Sequence, residues 1–187
     1  MAVDLGFGVS RSCGLAWQAL DSDNQARRVN FGQCVEAVAD FLSENVDSCL
    51  IIEAPLSGLF DSNGNPKGRL PFERTIVNGR TISRYWYVQG GAVVCLSAMF
   101  LLSRVSKLVT SESNTVNLVE GFVSFKTRRS SHTEDALALL ESIREPSTVS
   151  VYDVRPTTSS EQSVNMLGLV GLVSSEEPCP TVVAVSV

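Results

Sequence analysis

The chain has 187 residues, of which 44% are hydrophobic and 19% charged; this is ordinary globular composition with enough chain to fill one core, so a single domain over 1–187 is expected. Its formal net charge of -5 excludes a protein that coats nucleic acid through a general positive field, and any phosphate contact must come from local basic patches. The five cysteines, Cys13, Cys34, Cys49, Cys95 and Cys179, are odd in number and scattered through apolar runs, which excludes a disulfide framework or zinc site and reads as buried thiols in a reducing cytoplasm. The opening Met1-Ala2-Val3-Asp4-Leu5-Gly6 lacks the basic start and apolar stretch of a secretion signal.

In chain order, residues 2–8 (AVDLGFG) and 12–20 (SCGLAWQAL) read as two strands joined by a tight Gly/Ser turn, with a third over 26–31 (ARRVNF). The chain thus opens on a three-stranded meander. Cys34, Ala37, Val38 and Phe41 recur with helical spacing and predict an amphipathic helix over 34–42. The apolar run from Cys49 to Ile52 predicts a strand buried on both faces, as in a parallel pair, ending at Glu53. Residues 56–82, rich in Gly, Asn, Pro, Arg and Lys, predict a long irregular excursion.

A helix follows at about 83–105. Its uncharged stretch 85–103 approaches the length of a membrane span, but Gln89, the Gly90-Gly91 pair and the charged sequence around it favour a helix buried against a sheet, and no membrane association. A strand over 116–122 (VNLVEGF) precedes a helix from about Thr133, where Ala136, Leu139, Leu140 and Ile143 make one apolar face. The tail, about 148–187, predicts a strand (VSVYDV), a helix over 164–173 and a last apolar strand (TVVAVSV). An exposed last strand would allow a homo-oligomer built by sheet extension. The order βββαβαβα, with right-handed crossovers after the meander, predicts an α/β fold: a mixed sheet with helices on both faces.

Three acidic residues stand in or at the ends of apolar strands. Asp4 lies between Val3 and Leu5 and shares a strand face with Ala2 and Gly6, which leaves open space in front of it. Glu53 closes the run Leu50-Ile51-Ile52, and Glu120 closes the run from Val116 to Val119. Parallel strands deliver their C-terminal ends to one edge of the sheet, where α/β folds bind ligands. Carboxylates gathered there must share protons or be neutralised by a hard cation, and magnesium or manganese suits an oxygen site. Two such ions could activate a water and stabilise the leaving oxygen of a phosphodiester. The alternative is that Glu53 and Glu120 are solvated strand ends and Asp4 bonds the amides of the following turn.

Asp4-Leu5-Gly6 with residues 10–17, then Ile52-Glu53-Ala54-Pro55-Leu56-Ser57-Gly58, then Val119-Glu120-Gly121-Phe122, and finally 132–140 (HTEDALALL), resemble in their order the successive motifs of the ribonuclease H-like superfamily. The similarity spans about 2–143 and is greatest to its predicted-nuclease branch, known as domain of unknown function 429. That resemblance implies a ribonuclease H-like sheet and a magnesium- or manganese-dependent nuclease, with Asp4 bridging the metals and Glu53, Glu120 and Asp135 as further ligands. A second alignment sets the closing helix over 164–173, with Asn165 where an acid is expected. Asp135 also suits a purely structural role in a first helical turn that Ser131 or Thr133 caps. His132, the one histidine, is a candidate general base or proton shuttle, or a capping residue.

Lys67, Arg69, Arg74, Arg80 and Arg84 face the single acid Glu73 over 67–84, and Lys126, Arg128 and Arg129 precede His132. Of these, Lys67, Arg69, Arg74, Arg84 and Lys126 are the candidate contacts to a phosphate backbone, with Tyr85, Trp86 and Tyr87 available to stack on bases. A solvated loop and a buried helix start explain the same residues. Ser10 and Ser57 lack the His and Asp spacing of a serine nucleophile and read as turn residues. Two expectations stand together: a cytoplasmic metal-dependent phosphodiesterase acting on nucleic acid, and a non-catalytic ribonuclease H-like module that binds a nucleotide, nucleic acid or protein.

Overall fold

A computed structural model describes residues 1–6, 12–18, 23–77, 80–83, 91–109, 114–124, 130–145, 149–174 and 176–186; at 72, 74–77, 80–83, 124 and 186 the description is of the backbone alone. The opening meander consists of β1 (Ala2–Asp4), β2 (Cys13–Trp17) and β3 (Gln25–Val29), paired antiparallel in that order. Helix α1 (Phe31–Glu44) then crosses to β4 (Asp47–Glu53), which lies parallel to β1. The start of α1 is fixed by Asn30, whose side chain accepts from the Gln33 amide while Gln33 Oε1 accepts from the Asn30 amide.

After β4 come β5 (Ser57–Asp61), a 3-10 turn (Pro71–Glu73) and a hairpin of β6 (Arg74–Val77) with β7 (Arg80–Ser83). Helix α2 (Gly91–Val105), β8 (Thr115–Ser124), α3 (His132–Arg144) and β9 (Val149–Tyr152) follow. The chain continues through β10 (Glu161–Asn165), the single helical turn α4 (Met166–Leu169) and β11 (Thr181–Ser186). Seven strands form one sheet in the order β3-β2-β1-β4-β8-β11-β9; β3, β1, β4, β8 and β11 run in one direction, and β2 and β9 run against them.

The α/β expectation therefore holds, with a core on each face of the sheet. On one side Val3, Leu15, Leu50 and Ile52 pack under α1 and α2, through Cys34, Val38, Leu42, Ala98 and Leu101. On the other, Ala2, Ala16, Ile51 and Val183 pack under α3, through Ala136, Leu139 and Leu140. Leu50, Ile51 and Ile52 alternate between these faces yet are all fully buried, which is why β4 reads as an unbroken apolar run; each such side chain contributes about 1.5–3 kcal/mol.

Four expectations need correction. The excursion over 56–82 is not irregular: β5 pairs antiparallel with β10, and β6 with β7. Pairing with β5 also overrides the helical reading of 164–173, leaving one turn that Asn165 caps by accepting from the Leu167 amide. Strand β8 runs on to Ser124, so Glu120 lies inside it rather than at its end. The last strand is no edge, because β11 is paired on both sides, with β8 and β9. Among the described residues no helix is long and apolar enough to cross a membrane, and α2 leaves Val93, Leu96 and Phe100 exposed. Cys13, Cys34 and Cys95 are buried, Cys49 and Cys179 half-buried, and all five are free thiols.

Candidate metal centre at the end of the parallel strands

The sheet register decides which acids can meet. Asp4, the last residue of β1, lies directly beside Glu53, the last residue of β4, just as Ala2 lies beside Ile51. Because side chains alternate, Asp4 and Glu53 share the face of Ala2 and Ile51, which α3 covers. Glu120 pairs with Ile52 and shares the face of Leu50 and Leu118, under α1 and α2. One residue of parity thus puts Glu120 on the opposite side of the sheet from Asp4.

On the α3 face, the first turn of the helix brings two further ligands to Asp4. His132 Nδ1 lies 2.7 Å from Asp4 Oδ2, and Asp4, His132 and Asp135 each present a ligand atom within 4.8 Å of the others. Asp4 and Asp135 are buried at 6% and 3% exposure, whereas the His132 side chain is 37% exposed, so the cluster opens to solvent on the imidazole side. Spacing i, i+3 sets His132 and Asp135 on one side of α3. The turn is held by a capping box: Ser131 Oγ accepts from the Glu134 amide at 3.2 Å, and Glu134 Oε2 accepts from the Ser131 amide at 2.7 Å. Ser130 Oγ donates to Asp135 Oδ1 at 2.6 Å, fixing that carboxylate.

Two glycines let the helix come this close. A Cβ on Gly14 would sit 2.0 Å from the His132 carbonyl oxygen, and a Cβ on Gly6 would sit 2.2 Å from His132 Nε2. The space that Gly6 opens in front of Asp4 is filled by the imidazole. Sequence reasoning had marked that space but not its occupant, and it missed Ser130 and Gly14 altogether; a glycine inside an apolar strand was the signal for the latter.

Glu120 belongs to a different construction. Arg69 Nη1 donates to its Oε2 at 2.7 Å and Nη2 to its Oε1 at 2.5 Å, while the Leu56 amide and Ser57 Oγ also donate to Oε2, at 2.9 and 3.1 Å. Arg69 further donates from Nη2 to Glu73 Oε1 at 2.6 Å and from Nη1 to the Ser57 carbonyl at 2.9 Å. All three charged groups are buried, with Arg69 at 4%, Glu73 at 1% and Glu120 at 0% exposure. The expectation that Asp4, Glu53 and Glu120 converge is corrected: a guanidinium neutralises Glu120. Arg69 is likewise corrected, from a substrate-facing cation to a buried tie between the excursion and the central sheet.

Lys67 is exposed, and its charge helps hold Asp61 and Glu161 below the ordinary carboxylate range, after the hydrogen bonds from Asn65 and Thr157. It belongs to the β5–β10 side of the molecule. Arg84, Lys126, Ser10, the aromatic run 85–87, and Arg128 and Arg129 lie outside the described residues, as do the side chains of Arg74 and Arg80. Asn165 donates from its side chain to the Pro178 carbonyl at 2.9 Å, so Asp135, not the position of Asn165, is the acid that joins Asp4.

The donor set is two carboxylates and one imidazole. The 2.7 Å between Asp4 Oδ2 and His132 Nδ1 is a hydrogen-bond distance, and a bound cation would take the place of the shared proton. Carboxylate oxygens suit magnesium or manganese, and an imidazole nitrogen also suits zinc or iron. Comparison of the chain with protein-family models, curated proteins and solved structures finds no match.

Proposed function

We propose that this chain is a ribonuclease H-like phosphodiesterase that cleaves nucleic acid with a magnesium or manganese ion held by Asp4, Asp135 and His132. The observation that carries the reading is the cluster of three ligand atoms within 4.8 Å of one another at the C-terminal edge of the parallel strands. The meander followed by parallel strands, with Asp4 on the first of them, supports the superfamily assignment.

In this reading Asp4 and Asp135 supply the negative charge and the oxygen donors that a divalent cation would take. Glu53 is in register with Asp4 on the same face, but it is not among the three residues whose ligand atoms converge. A divalent cation, when bound, supplies a Lewis acid for a phosphoryl oxygen and acidifies water. His132, over a third exposed at the mouth, would complete the donor set from the solvent side through an unprotonated ring nitrogen. Ser130 holds Asp135 in place by donating to its Oδ1.

Isothermal titration of manganese into the metal-free chain, with Asp4→Asn and Asp135→Asn alongside, tests this. The wild type should bind and both variants should not. Affinity should fall as the solution is acidified, since the imidazole coordinates only through an unprotonated nitrogen. Cleavage of an oligonucleotide should require the metal and vanish with Asp4→Asn. A wild type that binds no manganese sinks the metal centre and favours the non-catalytic binding module.

A further inference from the structure

We infer that Arg28 is the residue that holds the substrate at this centre, by gripping a backbone phosphate next to the scissile one. The inference rests on the phosphodiesterase reading and names the contact that reading lacks. With Arg69 buried in its ion pairs, the basic residues expected to bind phosphate leave only Lys67 among the described side chains, on the β5–β10 side.

Arg28 reaches the centre by register. Asp4 pairs with Gly14 and Gly14 with Arg28, so Glu53, Asp4, Gly14 and Arg28 form one row across four strands, on the face that α3 covers. Strand spacing puts the Arg28 backbone about 10 Å from that of Asp4. Its long side chain is turned inward, diagonally across the row, because Nε donates at 2.6 Å to Ser12 Oγ, two residues before Gly14. The Ser12 carbonyl and His132 Nε2 both lie against Gly6, where an added Cβ would meet them at 2.3 and 2.2 Å. Ser12, which anchors the guanidinium, and the imidazole thus both border Gly6.

Three features suit an anion there. Arg28 is exposed, with its two Nη groups beyond the anchored Nε, and a guanidinium presents paired donors to a phosphate. The first turn of α3 starts directly over Gly14, beside Arg28 in the row, and a helix N-terminus adds partial positive charge. The cation at Asp4, His132 and Asp135 would take one phosphate, and Arg28 an adjoining one. A chain of phosphodiesters has that spacing of negative charge; an isolated phosphate does not.

The rival reading is that Arg28 only protects an edge strand from pairing with another chain. A titration of a fluorescein-labelled single-stranded oligonucleotide of mixed sequence, followed by anisotropy in calcium over a range of salt, separates the two. Arg28→Gln should weaken binding several-fold and flatten the slope of log affinity against log salt by about 0.7, the loss of one single-strand phosphate contact. Arg28→Lys should restore the slope, and neither variant should change manganese binding or the melting temperature materially. Equal affinity and slope for wild type and Arg28→Gln overturns the inference, as does a wild type that binds manganese but no oligonucleotide. A wild type that binds no manganese, yet loses oligonucleotide on Arg28→Gln, sinks the metal centre and leaves Arg28 as a phosphate contact.

Discussion

Two carboxylate clusters sit on opposite faces of one sheet, and they are different kinds of object. Around Glu120 every charge is buried and paired: one guanidinium serves two carboxylates, and backbone and hydroxyl donors fill the remaining positions. Around Asp4 two acids and an imidazole converge at an opening to solvent, positioned by a helix start. The first cluster is a tie that joins the excursion after β4 to β8. The second has the features of a site that a cation from solution could complete.

The largest expected effect breaks the tie. Arg69→Met leaves Glu73 and Glu120 buried without their cation, and removing one partner of a buried pair costs about 3–5 kcal/mol. Urea unfolding should show a loss of that order. Asp4→Asn, by contrast, alters a contact to a histidine that is over a third exposed, and should change metal-free stability by no more than about 1 kcal/mol. Equal losses for the two variants would mean that both clusters are structural and that the contrast drawn between them is wrong. Adding Glu120→Gln to Arg69→Met should recover part of the loss, since it removes one stranded charge.

The second effect moves the helix without touching a ligand. In Gly14→Ala the new methyl meets the His132 carbonyl oxygen at 2.0 Å, which is backbone and cannot rotate away, so the first turn of α3 must lift. A misfit of this kind costs about 1–3 kcal/mol. Manganese binding should fall far more than the stability loss alone implies, because His132 and Asp135 ride on the displaced turn while Asp4 stays on β1. Retention of wild-type affinity would show that the ligands do not act together.

These contrasts also mark what the sequence made legible. Asp4, His132 and Asp135 could all be picked out, the first as a charge inside an apolar strand and the others by their place at the start of an amphipathic helix. The α/β layering followed from periodicity and element order. Glu120 was misread for a physical reason: its strand shows the same apolar run ending in an acid as β4, and the sheet face depends on register, which pairs Glu120 with Ile52 rather than with Glu53. Register is set by contacts between distant segments and leaves no local trace. The Arg69–Glu73 spacing of four residues was visible in the sequence, but its burial depends on Ser57 and Glu120, 12 and 51 residues away. The helix expected over 164–173 failed likewise, because β5 offered 161–165 a strand partner.

The smallest effect tests how far the α3 cluster depends on its local frame. Ser131→Ala removes the hydroxyl that accepts from the Glu134 amide and should cost about 1 kcal/mol of global stability, the usual value of an N-cap. The loss falls on the turn that carries His132 and Asp135, whereas the core contacts of Leu139 and Leu140 hold the rest of the helix to the sheet. Local opening of the first turn should therefore become easier by about as much as the whole protein is weakened, which hydrogen exchange at the His132–Asp135 amides would detect. Manganese binding stabilises only the closed turn, so saturating metal should return most of that protection. Unchanged exchange would mean that the Asp4–His132 contact alone pins the turn, and that the capping box is redundant to the site.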